Sequence, residues 1–455
     1  MVGVVVGRKN TFNRHSVGFD NVDEIIDMPC RVDEHTRSGC SVTDRIRKVN
    51  HLRREVIADG KVAAGEQLAE VETVVFHGFE RTLHSVEMID SAVVGTDSVR
   101  YGVIGTGMMG VEHIENILHL DGTTVSAIAD TNTERREIGA QVARRLGGGD
   151  VVEFSDHRTM LDSGLVDAVV IVTPNMTHAD VLSDVLATDV HVMVEKPLCT
   201  TVADCQRVIA AETSGNAQRV VWMGLEYRYM PPTTALLNEI RSGTVGNVKM
   251  VSIREHRFPF LQKVDDWNRF NRNTGGTFVE KCCHFFDLMR LIADAEPAKV
   301  YASGAQDVNH LDESYNGEIP DVLDNGFVVV DFDNGVRGLL DLCMFAEASK
   351  NEQEISVTGD EGKVEAMVTE SLLRIGRRAD GQHVVSERSI TDDRIRHVGL
   401  HNGASYLEHV DFLAAIRRGE AAKVTLLDGM RSVAIGVAAH RSIECGRPVE
   451  MSEVI

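Results

Sequence analysis

Glu280 and His284 stand four residues apart in GGTFVEKCCHFFDLM (residues 275–289), a stretch that also carries Lys281, Cys282, Cys283 and Asp287. Read as a helix, that spacing puts the carboxylate and the imidazole on one face, with Asp287 a turn further along. A metal site, an activated thiol and a proton relay all use residues of these types. Zinc takes cysteine and histidine, but adjacent cysteines project in different directions from a helix and rarely share one tetrahedral ion. No second Cys/His cluster supplies the missing ligands at a recognisable spacing, so no metal is expected. Lys281 would favour a nearby thiolate, yet burial is the commonest fate of cysteine, and Cys282 and Cys283 read as packing residues. A proton relay then competes with a satisfied core histidine, and the rest of the chain decides between them.

Two further motifs bear on that choice. VRYGVIGTGMMG is a short β-branched strand running into Gly105, Gly107 and Gly110, followed by a helical pattern. Asp130 ends the next strand, at the distance a dinucleotide fingerprint requires. Gly105 suits the tight turn, Gly107 the approach of a pyrophosphate, and Gly110 close helix–strand packing. The amides near Met108 and Met109 then aim the helix N-terminus at phosphate. A carboxylate at Asp130 accepts from a ribose diol and repels a 2′-phosphate, which favours NAD over NADP, though Arg135 and Arg136 soften that preference. TPNMTHAD (173–180) and EKPLCT (195–200) each follow a parallel strand. Ligands of such sheets bind beyond the carboxyl ends of the strands. Thr173, Pro174, Asn175, His178, Glu195 and Lys196 are therefore expected to face the cofactor, with Pro197 restricting the backbone of Lys196.

These motifs need a scaffold, and the hydrophobic pattern supplies one. Strands and helices alternate from residue 98 to about 225, several strands being apolar along their whole length, which predicts a doubly wound parallel sheet covered on both faces (a Rossmann domain). From 226 to 455 the strands lengthen and DNG and GDEG mark hairpin turns. This predicts an α+β domain with an open, largely antiparallel sheet and helices over 275–289, SYLEHVDFLAAIRRG and LLDGMRSVAIGVAAHRSIECG. Residues 1–97 show no clear alternation. They read as an N-terminal extension, either a small accessory segment or the product of a mis-assigned upstream start.

Composition narrows the function classes. The chain has 455 residues, 43% of them hydrophobic, enough for two domains with sizeable cores. Its 47 basic and 69 acidic residues give a net charge of −22, which argues against a nucleic-acid partner. The longest apolar runs, such as VDAVVIV, are too short to cross a bilayer, and MVGVVVGRKN falls short of a signal-peptide core. A cytoplasmic protein is expected, with its eight cysteines as free thiols.

GTGMMG, AIAD, TPNMTHAD, EKP, EYRYMP and GGTFVEKCCHFFDL, in this order, resemble the glucose–fructose oxidoreductase / inositol dehydrogenase (Gfo/Idh/MocA) family over residues 98 to the C-terminus. The resemblance implies that Lys196 contacts both the nicotinamide ribose and the substrate, and that Glu280 and His284 meet the reacting hydroxyl. It also implies a homo-oligomer, dimer or tetramer, built through the open sheet. Family members usually carry aspartate where Glu280 stands, and small residues in place of KCC. On this basis His284 is expected to take the hydroxyl proton of a sugar or inositol, Lys196 to stabilise the developing alkoxide, and Glu280 to orient His284 or bind a neighbouring hydroxyl. Arg228 of EYRYMP and Trp267, Asn268 and Arg269 of DDWNRFNRNTGG are candidate substrate contacts, the last three being equally compatible with a solvent-facing loop. The family also includes non-catalytic dinucleotide-binding regulators. Retention of both Lys196 and His284 argues against that alternative, because a sensor does not need the pair.

Overall fold

A computed structural model describes residues 98–215 and 218–455, which belong to one compact unit. The expected 1–97 extension lies outside the described residues. The first half runs β1 (Val99–Ile104), α1 (Met108–Leu118), β2 (Thr123–Ala129), α2 (Thr133–Arg145), β3 (Val152–Phe154) and α3 (His157–Asp162). It continues with β4 (Ala168–Ile171), α4 (His178–Leu186), β5 (His191–Glu195), α5 (Val202–Ser214) and β6 (Val221–Gly224). All six strands are parallel, in the order β3-β2-β1-β4-β5-β6. That is the doubly wound dinucleotide-binding order, with its switch point between β1 and β4. Ala168, Val169, Val170 and Ile171 are wholly buried, as a central strand covered on both faces requires. Helix starts are set locally: the Asn132 side chain accepts from the Arg135 amide, and Thr201 from the Asp204 amide. The short β3 and α3 had no signal in the apolar pattern, because β3 is only three residues long and lies at the sheet edge.

The second half contains α6 (Pro231–Arg241), β7 (Val248–His256), α7 (Asn271–Thr274), α8 (Thr277–Glu280), α9 (Cys283–Ala293), β8 (Pro297–Ala305), β9 (Asn325–Phe332) and β10 (Arg337–Cys343). Then follow β11 (Gln353–Gly359), β12 (Gly362–Met367), β13 (Leu372–Arg377), β14 (Ser386–Ser389), α10 (Ala404–Arg418), α11 (Leu426–Cys445) and β15 (Val449–Glu450). The nine strands form one open sheet, β14-β13-β12-β11-β7-β10-β9-β8-β15, antiparallel at every pairing except β7 with β10. DNG joins β9 to β10 and GDEG joins β11 to β12, as their turn chemistry predicts. Alternate residues Val328, Val330, Leu340 and Leu342 are buried on one face, while Phe327, Val329 and Leu339 are exposed on the other. Helix α11 packs on β8 and α9 of this half and on α5 and β6 of the first, so it ties the two halves together. Its Gly429 and Gly436 admit that contact: a Cβ would stand 2.7 Å from Met223 Sδ and 2.6 Å from the Phe278 carbonyl oxygen. Among the described residues no helix is long and apolar enough to cross a membrane.

The 275–289 stretch departs from the expected single helix. It folds as α8 and α9 with Lys281 and Cys282 as a turn between them, so Glu280 closes one helix and His284 lies in the first turn of the next.

Candidate active site

The nucleotide end is a backbone construction. Gly105 has φ +94°, and a Cβ there would stand 2.7 Å from the Val172 carbonyl oxygen. A Cβ on Gly110 would come within 2.2 Å of the Gly105 carbonyl oxygen, so this glycine sets how closely α1 rests on the β1 turn. Gly107 is different, because a Cβ there meets nothing within 4 Å. It is also the N-cap of α1 and makes no side-chain cap, which leaves the first-turn amides at Met108 and Met109 turned to open space. A phosphate cradle needs that combination of space and unpaired N–H groups, so the residues fit a dinucleotide. Asp130 lies past the end of β2, where Oδ2 accepts from the Thr106 amide (2.7 Å) and hydroxyl (3.0 Å) and Oδ1 from the Asn132 amide (2.8 Å). Arg136 is committed to the Asp130 carbonyl (2.7 Å).

Beyond β4 and β5 two loops are stitched together by His178. Its buried ring stands 2.8 Å from the Pro197 carbonyl and 2.9 Å from that of Thr173, both contacts through ring nitrogens. Burial lowers its pKa despite those carbonyls; the neutral ring has one N–H and donates to one of the two, and only the imidazolium donates to both. The Thr173 hydroxyl is bonded by Thr177 (2.8 Å), and the Pro174 carbonyl by the Thr177 amide (2.9 Å). Asn175 donates its side-chain amide to Glu280 across the two halves of the chain. Glu195 is buried below the cavity: its carboxylate contacts His113 Nε2 (2.8 Å) and accepts from the Lys196 amide (3.0 Å). Burial alone would raise the Glu195 carboxyl, but the His113 hydrogen bond and the charges of His113 and Lys196 hold it at about 2. The Lys196–Pro197 peptide is cis.

A cavity of about 320 Å³, within the usual range for small-molecule pockets, opens between Met108 and Met109 on one side and the open-sheet half on the other. Lys196, Glu280 and His284 all line it. Lys196 Nζ donates to the Glu280 carbonyl oxygen (3.2 Å), a helix-end acceptor, and lies 3.8 Å from the Glu280 carboxylate. Burial opposes the ammonium, yet Glu280 first, with Glu195 and Glu226, raises its pKa above the ordinary lysine value. His284 is buried and stacks on Tyr227 at 3.9 Å with the rings 8° apart. Its Nε2 is 3.5 Å from Glu226 and its Nδ1 has no partner. Burial, then the charges of Lys196, Lys281 and His401, push the imidazole well below its usual pKa, so it is held unprotonated. That is further down than its intrinsic value would place it.

Other expected residues lie elsewhere. Arg228 forms a two-point ion pair with Asp287 (2.6 and 2.5 Å) and does not line the cavity. Trp267 and Asn268 are also outside the lining; the Asn268 amide donates to the Leu261 carbonyl (2.9 Å) and so holds a cavity loop in shape. Cys282 and Cys283 are buried and burial pushes both thiols up, Cys283 to about 12, which disfavours thiolate chemistry. Lys281, between Glu280 and the cysteines, contacts Glu255 (2.8 Å) and the Tyr227 hydroxyl (2.7 Å). Sequence reasoning did not single out Glu226, Tyr227, Arg257, Lys263, Glu352 or His401 as lining residues. Glu226 and Tyr227 sit inside EYRYMP and carried that much signal. The others come from separate loops and strands whose convergence no local spacing reveals.

Comparison with known proteins agrees with the fold. Residues 99–224 match the profile of an oxidoreductase family's NAD-binding Rossmann fold, and residues 238–451 that of the same family's C-terminal alpha/beta domain. The myo-inositol 2-dehydrogenase of Thermotoga maritima is 28% identical over 358 residues, 78% of this chain and 100% of that protein. The scyllo-inositol 2-dehydrogenase (NAD(+)) of Bacillus subtilis is 27% identical, over 78% of this chain and 96% of its own. In fold, a levoglucosan dehydrogenase in complex with NADH and levoglucosan superposes with a TM-score of 0.67 at 21% identity, covering 78% of this chain and 100% of that one.

Proposed function

The chain belongs to the GFO/IDH/MocA oxidoreductase family, and from that premise we propose that it oxidises a ring hydroxyl of an inositol, sugar or related polyol with NAD. It is a dehydrogenase of CH–OH groups, like the inositol 2-dehydrogenases to which it is similar. The observation that carries the reading is the meeting of Lys196, Glu280 and His284 in one cavity beside the first turn of α1.

NAD, when bound, supplies a hydride acceptor. The remaining work falls to the side chains. The substrate hydroxyl gives its proton to the unprotonated His284, while the C–H electron pair leaves with the hydride and a C=O bond forms. Lys196 keeps its proton and stabilises negative charge as it develops on that oxygen. Glu226, 3.5 Å from His284 Nε2, offsets the imidazolium that results. Glu280, held by Asn175, fixes Lys196 and is placed to accept from a second hydroxyl. Asp130 puts a carboxylate past β2, where a 2′-phosphate would be repelled, which supports NAD over NADP.

Incubating the protein with NAD and a panel of inositols and sugars, while following reduced-nicotinamide absorbance, tests the reading. Turnover of at least one polyol is expected. Tight NADH binding without turnover of any would favour a nucleotide-sensing regulator instead.

A further inference from the structure

Most of the cations around the cavity stand beside a carboxylate, and one does not. Lys281 lies against Glu255 (2.8 Å) and Lys196 against Glu280 (3.8 Å). Arg257 stands 3.6 Å from Glu255 and 3.5 Å from Glu352, and His401 is 3.6 Å from Glu112 and 3.8 Å from Glu226. Lys263 also lines the cavity, from the loop after β7, yet its ammonium has no hydrogen bond or ion pair among the described residues. More distant charges nearly balance around it, Glu280 and Glu195 against Lys196 and Arg257, and burial dominates, lowering its pKa. A partly desolvated ammonium without a counter-ion is unfavourable, and a ligand that brings one relieves the cost.

We propose that the cavity selects a polyol bearing a carboxylate, a sugar acid, and that Lys263 receives that carboxylate while Lys196 and His284 act on a hydroxyl. A carboxylate supplies the one counter-ion that the Lys263 ammonium lacks nearby. A phosphate ester carries about −1.5 to −2 at neutral pH and would stand beside Glu226, Glu280 and Glu352 of the same lining. The assignment rests on the dehydrogenase reading of the same site.

The test compares ring-matched ligands on the full chain: D-galacturonate, D-galactose and D-galactose 6-phosphate. NAD reduction gives kcat/KM, and calorimetry on the NADH-loaded protein gives Kd. Galacturonate is expected to exceed galactose at least tenfold in one or both measurements. Lys263→Met should cut that ratio at least tenfold and Lys263→Arg should retain it. Equal or better handling of galactose, a preference for the phosphate, no binding of any of the three, or a ratio unmoved in Lys263→Met would each overturn the carboxylate site. Lys263-dependent binding of galacturonate without its turnover would uphold the carboxylate site, and would sink the dehydrogenase reading only if no inositol or sugar of the panel is turned over either.

Discussion

The two ends of the active site are built from different materials. The nucleotide end is mostly backbone: three glycines, a helix N-terminus and one carboxylate, with φ +94° at Gly105 and a 2.2 Å limit at Gly110. The substrate end is mostly side chain: lysines, an arginine, glutamates and histidines from at least six segments, whose charges set one another's protonation. A cofactor of fixed shape can be met by fixed peptide geometry. A varied substrate and a moving proton need tuned ionisable groups, which cost desolvation and must be paired.

If that division of labour holds, the largest effect comes from the side-chain end. His284→Ala should lower turnover roughly a hundredfold or more, the scale of a positioned acid–base group, while the NAD Kd changes little. Steady-state kinetics beside calorimetry reads both, and a comparable loss of NAD affinity would break the comparison. Because the wild-type imidazole is held unprotonated, the acid limb of its kcat/KM profile should lie below pH 6.5.

A histidine behind α8 should contribute to acid sensitivity. His440 Nε2 accepts from the Phe278 amide at the root of α8 (3.1 Å), and burial lowers its pKa to about 4. The unfolded chain therefore binds a proton that the folded one refuses between about pH 6.5 and 4. Stability present above pH 6.5 is lost as pH falls through that window, by about 3 kcal/mol at 1.36 kcal/mol per pKa unit. His440→Gln removes this term, so the stability gap between wild type and variant should shrink by about that amount from pH 7 to pH 4 in urea titrations. A constant gap would contradict it.

Two glycines sharpen the contrast from the backbone end. Gly110→Ala must displace the Gly105 carbonyl, whereas Gly107→Ala points into open space. Both should weaken NAD binding, roughly tenfold or more, but only Gly110→Ala should also lower Tm, by several degrees. Equal melting losses would mean that Gly107 is structural as well.

The smallest effect expected is at Asp130. Asp130→Ala should narrow the NAD-over-NADP preference by about tenfold, the worth of about 1.4 kcal/mol, as read from the two Kd values. Wild-type preference for NADP would overturn the role assigned to this carboxylate.

Much of this was legible without coordinates, for identifiable reasons. Gly105, Gly107, Gly110 and Asp130 act within one strand–turn–helix–strand unit, so spacing alone locates them. Lys196 is fixed by the end of β5, and His284 by its place four residues after Glu280. The single helix expected there instead breaks at Lys281 and Cys282, a turn the apolar pattern of 275–289 did not mark. Arg228 shows the opposite limit. Its motif placed it near the site, but Asp287 of α9 claims its guanidinium.

The sequence by itself thus determined most of the order of elements, the parallel and antiparallel halves and the nucleotide loop, because each is written in local periodicity or short spacing, while the lysine–histidine pair came from the family resemblance of its motifs. Only the tertiary structure decided which charges meet. It set Asn175 on Glu280, Tyr227 against His284 and His113 under Glu195, and left Lys263 facing the cavity without an ion pair among the described residues. Those pairings join residues tens to more than a hundred positions apart, and they decide protonation through burial and Coulomb terms that fall off with distance in space, to which distance along the chain is no guide.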